Sequence, residues 1–198
     1  MNILIIGAGN MGSAIISRLA DDANIFSIDV IQPSLSKKDI FKSYKHISFY
    51  SSAQELEKSQ IIPDIVLIAI KPQKFSEILP EYKHHLKNSI IVSIAAGIDT
   101  NKISAYIDYA HNNIVRIMPN MAVTVGYSMN LGYISNESSL DCKKYANILL
   151  ANTGYFYWLD SEKQFDSLTF VTGCGPAFFY LFSDILANII IKQGISYQ

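Results

Sequence analysis

Apolar and polar positions along this chain follow two periods that take turns. Ile3, Leu4, Ile5 and Ile6 form a continuous apolar run, β-branched at three of four positions, as in a strand buried on both faces. From Ser13 the period lengthens. Ala14, Ile15, Ile16, Leu19 and Ala20 recur at three- and four-residue intervals and predict an amphipathic helix starting close to Gly12. Further strands are predicted at residues 24–31, 47–50, 65–70, 89–95 and 113–118. Helices are predicted at 53–59, at 75–87 with an early interruption at Pro80, and at 100–109 with Thr100 or Asp99 as its cap. Residues 123–134 alternate loosely around Gly126 and Gly132 and read as an edge strand. Residues 139–152 read as a helix with Leu140, Ala146, Ile148, Leu149 and Leu150 on its apolar face, and 155–159 as an aromatic strand. Past residue 160 only helix remains: 166–172, a loop at Gly173-Cys174-Gly175, and a helix opening at Pro176. The pattern predicts an α/β, Rossmann-type doubly wound, mostly parallel sheet over residues 1–160. The start of an all-helical C-terminal domain follows over 161–198.

The first strand breaks into Gly7, Gly9 and Gly12, spaced G-x-G-x-x-G, at the head of the first helix. That placement suits a dinucleotide. Gly7 allows the tight turn, Gly9 lets a pyrophosphate approach the backbone, and Gly12 lets helix and strand pack closely. Ala8, Asn10 and Met11 complete the turn, whose amides and helix dipole favour phosphate charge.

The adenosine ribose of such a ligand is read after the second strand, where two readings compete. Asp29, about 20 residues beyond the glycines, would accept from a ribose 2′-OH and favour NAD. Val30 and Ile31 continue the apolar run, however, which puts Asp29 inside the strand and Gln32 and Ser34 at its tip. The Ser34 hydroxyl with Lys37 and Lys38 would then hold a 2′-phosphate. The balance tips slightly toward NADP over NAD.

Composition narrows the ligand. The 198 residues carry a net charge of −1 and are 49% hydrophobic and 17% charged. Nothing in that balance attracts nucleic acid or an anionic membrane, so a small-molecule ligand is expected. No window reaches about 18 uninterrupted apolar residues, and no membrane span is expected. Cys142 and Cys174 lie outside any metal-ligand spacing. With no signal peptide ahead of the first strand, both are expected as reduced thiols in the cytoplasm, and no metal site is expected.

The other chemical candidates are mostly structural. Lys71, beside Pro72 at a strand's carboxyl end, suits a cofactor contact or a solvated loop equally. His84 and His85 are adjacent, so their rings diverge on a helix and read as surface residues; His46 and His111 stand alone. Arg116, inside a strand pattern, reads as a structural ion pair at the sheet edge. The cluster from Tyr155 to Trp158 reads as core. Cys174 reads as a small residue in a tight loop rather than a reactive thiol. No G-x-S-x-G elbow and no Walker lysine are present.

Five segments in order resemble one family, pyrroline-5-carboxylate reductase, which reduces a cyclic imine to proline with NAD(P)H. They are G-A-G-N-M-G-S-A-I at 7–15, A-I-K-P-Q at 69–73, S-I-A-A-G-I at 93–98, R-I-M-P-N at 116–120 and T-G-C-G-P-A at 172–177. The resemblance implies that residues 7–12 hold the pyrophosphate and that Ser34 lies at the adenosine ribose or its phosphate. Ala69, Ile70, Lys71 and Pro72, with Ile94, Ala95 and Ala96, would line the nicotinamide half. Met118, Pro119 and Asn120, with Thr172, Gly173, Cys174 and Gly175, would be the nearest substrate-side positions. Two departures stand out. Met121-Ala122 replaces a frequent Thr-Pro pair. The family also continues past Gln198 through further helices, with a P-G-G-T-T-like segment for the substrate carboxylate and an intertwined dimer interface.

The implied reaction is hydride transfer to a protonated C=N bond of 1-pyrroline-5-carboxylate, in proline biosynthesis. An iminium is already electrophilic, so no catalytic acid is named. A homodimer or higher homo-oligomer is expected when the full C-terminal domain is present, and the apolar helix at 176–191 predicts self-association. Three rival readings are a catalytically inactive NAD(P)-binding homologue, a sister oxidoreductase such as an F420-dependent NADP reductase, and a protein-interaction module built on that last helix. The T-G-C-G-P-A segment speaks against the sister oxidoreductase.

Overall fold

The computed structural model describes residues 1–21, 27–35, 37–59, 61–108, 113–134 and 140–195. Eight strands form one sheet in the order β3-β2-β1-β4-β5-β6-β7-β8. They are β1 Asn2–Ile6, β2 Ser27–Ile31, β3 Ile47–Tyr50, β4 Ile65–Ile68, β5 Ile90–Ser93, β6 Ile114–Met118, β7 Ser128–Ile134 and β8 Gly154–Trp158. The first six run parallel. β7 is antiparallel to β6 and parallel to β8. The expected α/β, mostly parallel sheet is therefore present. Residues 24–26 of the second predicted strand, with His111, Tyr109 and Ser139, lie outside the described residues.

The alternation of side chains across each strand divides the core in two. On one face Ile3, Ile5, Ile28, Val30, Ile65, Leu67 and Val92 pack under helix α1, Asn10–Ala20, and α6, Leu140–Leu149. On the other, Leu4, Ile6, Val66, Ile68 and Ile91 pack under α2, Ala53–Glu57, α3, Phe75–Ile78, α4, Lys83–Leu86, and α5, Thr100–Tyr106. Both faces of the central strands are covered, which is why they read as continuous apolar runs rather than alternating ones. Each buried Ile or Leu contributes about 1.5–3 kcal/mol.

Local chemistry sets the breaks. Pro80 splits the region after β4, and α3 and α4 are separated by a 3-10 turn at Leu79–Tyr82. Asp99, not Thr100, caps α5 by accepting from the Lys102 amide at 2.7 Å. Ser52 caps α2 and Ser161 caps α7, Glu162–Thr169.

Three expectations change. The expected edge strand begins only at Ser128, after a 3-10 turn at Met121–Val125, and lies between β6 and β8. Its Gly132 lies under the Trp158 ring, 2.6 Å from where a Cβ would project, so a close approach rather than an edge explains the glycine. The aromatic strand β8 is the edge at that end of the sheet, opposite β3. Tyr155 and Tyr157 are exposed, while Phe156 and Trp158 stack on each other and pack half-buried against the core, so the cluster lines the core's margin rather than forming it. Finally, the expected loop at 173–175 is helical. A π-helical turn at Phe170–Cys174 joins α7 to α8, Gly175–Lys192, in one run over Glu162–Lys192. Cys174 is exposed on that run, so a tight loop is not what selects its size.

Candidate active site

β1 ends at Ile6 and the chain turns at Gly7, which has φ +101 and whose amide donates to the Ile31 carbonyl at 2.9 Å. A Cβ there would stand 2.7 Å from the Ala69 carbonyl oxygen, and one on Gly12 would overlap the Gly7 carbonyl. Both positions therefore require glycine for the fold itself. Gly9 differs: nothing lies within 4 Å of where its Cβ would be. Gly9 is the N-cap of α1, no side chain caps the helix, and its first turn carries no acidic residue. The helix begins at Asn10, slightly earlier than the expected start near Gly12. Bare amides, a positive dipole end and open space above Gly9 make a cradle for a phosphate pair.

The neighbouring strand ends complete a row. β1 lies between β2 and β4, so the order of connection reverses beside the glycine turn, where open α/β sheets take ligands. At the carboxyl end of β4, the Ala69 amide donates to Ile6 at 2.8 Å, followed by Ile70, exposed Lys71 and Pro72. At the end of β5 the Ile94 amide donates to Ile68 at 3.2 Å, and Ala95 and Ala96 follow. At the end of β6 lie Met118, Pro119 and Asn120.

Beyond β2, Asp29 proves to be inside the strand and 4% exposed, paired in register with Leu4 and Ser48, so it cannot reach a ribose. Gln32 and Ser34 occupy the tip. Burial pushes the Asp29 carboxyl above its ordinary 3.8, opposed by a hydrogen bond from Tyr50. Between the unfolded value and the raised one, the folded chain binds more protons, so stability falls as pH rises through that window and the cost persists above it. Asp29→Asn, which keeps an acceptor for Tyr50, should melt at a higher temperature than the wild type at neutral pH. In melts at decreasing pH the difference should vanish below the ordinary carboxyl value.

The substrate-side residues meet across a long stretch of sequence. Asn120 Nδ2 donates to the Thr172 carbonyl at 3.0 Å, and its Oδ1 accepts from the Ala122 amide at 3.0 Å. Gly173 faces Met118, whose Sδ lies 3.8 Å from the position of a Cβ. A cavity of about 410 Å³ opens here, lined by Asn120, Met129, Thr172, Gly175, Phe179 and Tyr180 among others. Among the described residues its wall carries no carboxylate, lysine or histidine. Thr172 Oγ1 is buried without a partner among the described residues. Cys174 does not line the cavity. Met129, Phe179 and Tyr180 carry no motif, and the apolar pattern of α8 alone marks two of them.

Arg116 stands on β6 between β5 and β7, not at the sheet edge, and is fully buried. The structural ion pair is real: its guanidinium meets Glu162 at 3.0 Å and Asp166 at 2.8 Å, and lies 4.2 Å above the Phe165 ring. Glu162 also accepts from the Thr100 amide and hydroxyl. The helix that carries the substrate-side turn is thereby fixed to the sheet.

A doubly wound sheet with an uncapped glycine turn at its switch point, and a cavity bordered by Asn120 beyond the end of β6, fit the class of dinucleotide-dependent oxidoreductases. Comparison with known proteins makes the class specific. Residues 2–97 match the family model "NADP oxidoreductase coenzyme F420-dependent", and residues 162–198 match "Pyrroline-5-carboxylate reductase dimerisation". The pyrroline-5-carboxylate reductase of Haemophilus influenzae is 31% identical over 98% of this chain and 70% of its own length; that of Aquifex aeolicus is 32% identical over 100% and 72%. Among solved structures, a Plasmodium falciparum pyrroline carboxylate reductase with NADP bound superposes with a TM-score of 0.82 at 29% identity, covering 99% of this chain and 71% of that one. A Coxiella burnetii pyrroline-5-carboxylate reductase reaches 0.85 at 27% identity, covering 98% and 72%. The chain belongs to the pyrroline-5-carboxylate reductase family of NAD(P)-dependent oxidoreductases. The sister-oxidoreductase reading applies to the name of the N-terminal match alone, since these reductases align along essentially the whole chain.

Proposed function

We propose that this chain reduces 1-pyrroline-5-carboxylate to L-proline in the cytoplasm, with NADPH preferred over NADH. The observation that carries the reading is the bare α1 N-terminus, with open space over Gly9, at the centre of a row of strand ends. Residues 1–160 serve as the cofactor unit and 161–198 as the substrate and association unit. Gly7 to Gly12 hold the pyrophosphate, and Ser34 with Lys37 and Lys38 the 2′-phosphate. Ala69 to Pro72 and Ile94 to Ala96 line the nicotinamide half. Met118, Pro119, Asn120, Thr172, Gly173 and Gly175 border the imine.

A reduced nicotinamide bound there supplies hydride to the carbon of the C=N bond. The chain's own task is positioning, to a carbon-to-carbon distance of about 3–3.5 Å. A protonated imine is already electrophilic and needs no further acid to accept hydride. Titration with NADPH and NADH, beside NADPH oxidation in the presence of pyrroline-5-carboxylate, tests the reading. Binding with turnover supports it, and binding neither nucleotide refutes it. Binding without turnover supports a second reading, an inactive NAD(P)-binding homologue, which is favoured by the exposure of the cavity residues Phe179 and Tyr180.

The family is homo-oligomeric, and we propose that α8 seats against a second copy. By length and composition the run Glu162–Lys192 would also cross a membrane, but it lies within the residues matching the dimerisation domain. Phe178, Phe182, Ile185 and Ile189 are all half or more exposed. Such a face is expected to drive association. Sedimentation should show a dimer or larger species. Phe178→Glu with Phe182→Glu should weaken it at least about a hundredfold, since each buried Phe supplies about 1.5–3 kcal/mol. A wild-type monomer would refute the arrangement.

A further inference from the structure

Gln32, immediately after β2, is tied on four sides. Its backbone amide donates to the Tyr50 carbonyl at 2.9 Å, and its carbonyl accepts from Leu35 at 3.0 Å. Its side-chain Oε1 accepts from the Ala8 amide at 2.8 Å, and Nε2 donates to Ser34 Oγ at 3.0 Å. Leu35 takes a left-handed conformation, φ +48, to close this turn, an unfavourable state for a branched residue that surrounding bonds must enforce. A single carboxamide therefore bridges the glycine turn and the loop at the adenosine end.

We propose that Gln32 is a positioning residue that couples the phosphate-binding turn to the 2′ end of the adenosine ribose and sets the preference for a 2′-phosphorylated dinucleotide. The inference rests on the reading that Gly7 to Gly12 bind NAD(P). An amide presents an acceptor to the Ala8 N–H at one end and a donor to the Ser34 oxygen at the other, so the Ser34 hydroxyl is not drawn on as a donor by this contact. The group is also neutral. Folds of this kind that read an unphosphorylated ribose place a carboxylate near this tip, and a carboxylate repels a 2′-phosphate. Here the acidic residue, Asp29, is withdrawn into the strand.

Glutamate at position 32 would keep the acceptor for Ala8, reverse the Ser34 contact so that the hydroxyl donates to the carboxylate, and add a negative charge. In titrations of the full chain, Gln32→Glu should weaken NADPH binding by about tenfold or more and NADH binding far less, so the ratio of the two dissociation constants changes. Gln32→Met removes both hydrogen bonds without adding charge. It should weaken NADPH selectively in the wild-type background and lose that selectivity in a Ser34→Ala background, because the two act through one contact. A purely structural role would weaken both nucleotides equally. If the wild type binds both nucleotides and neither variant moves their ratio, the inference is overturned while the cofactor reading stands. If the wild type binds neither, both fall.

Discussion

Gly9→Leu is expected to weaken nucleotide binding severely while leaving the melting temperature close to that of the wild type. Nothing of the protein lies within 4 Å of the Cβ position, so the folded chain has room for the side chain. A phosphate pair seated on the amides of Asn10 and Met11 does not. Losing the close approach and part of the dipole contact should weaken NADPH and NADH by at least about a hundredfold, equivalent to roughly 2.7 kcal/mol. Gly12→Val should behave the other way round. Its Cβ overlaps the Gly7 carbonyl, so helix and strand must separate, an overpacking cost of about 1–3 kcal/mol or more. Urea unfolding and nucleotide titration on both variants separate the roles: affinity lost at constant stability for Gly9, stability lost for Gly12. Retained affinity in Gly9→Leu would remove the dinucleotide from this turn.

The N-terminal half of this arrangement is legible because its signals are local. A β-branched run, three glycines and a change of period lie within about 20 residues, and each feature points to the same strand-turn-helix unit. The carboxyl ends of β4, β5 and β6 are legible for the same reason, since each apolar run stops at a proline or glycine within a few residues. The second half depends on partners distant in the chain. Gly173-Cys174-Gly175 reads as a loop from composition, yet it is helical, and the Thr172 carbonyl just before it is taken by Asn120, 52 residues earlier. Gly132 reads as an edge-strand residue until Trp158 is placed on it. Gln32 carries no motif. Its role emerges only when Ala8, 24 residues upstream, is brought to its side chain.

Arg116 gives the largest expected effect on stability, and the order of effects is the test. The guanidinium is fully buried, whereas the Glu162 and Asp166 side chains retain 22% and 51% of their exposure. Removing both carboxylate charges with Glu162→Gln and Asp166→Asn leaves a buried cation with no counter-charge, which should cost about 3–5 kcal/mol. Removing the cation instead, with Arg116→Met, leaves carboxylates that can recover water. The methionine still packs against Phe165, so the cost should be smaller. Urea midpoints at constant slope would measure both. Because Glu162 and Asp166 lie on α7, weakening their hold should also loosen the Asn120–Thr172 contact that shapes the cavity, without touching the glycine turn. The double variant should therefore keep its affinity for NADPH and lose turnover of the imine. If Arg116→Met proves the costlier change, Arg116 contributes through packing rather than through charge. The sheet would then hold the substrate-side helix by shape, and the carboxylates would matter only as solvated neighbours.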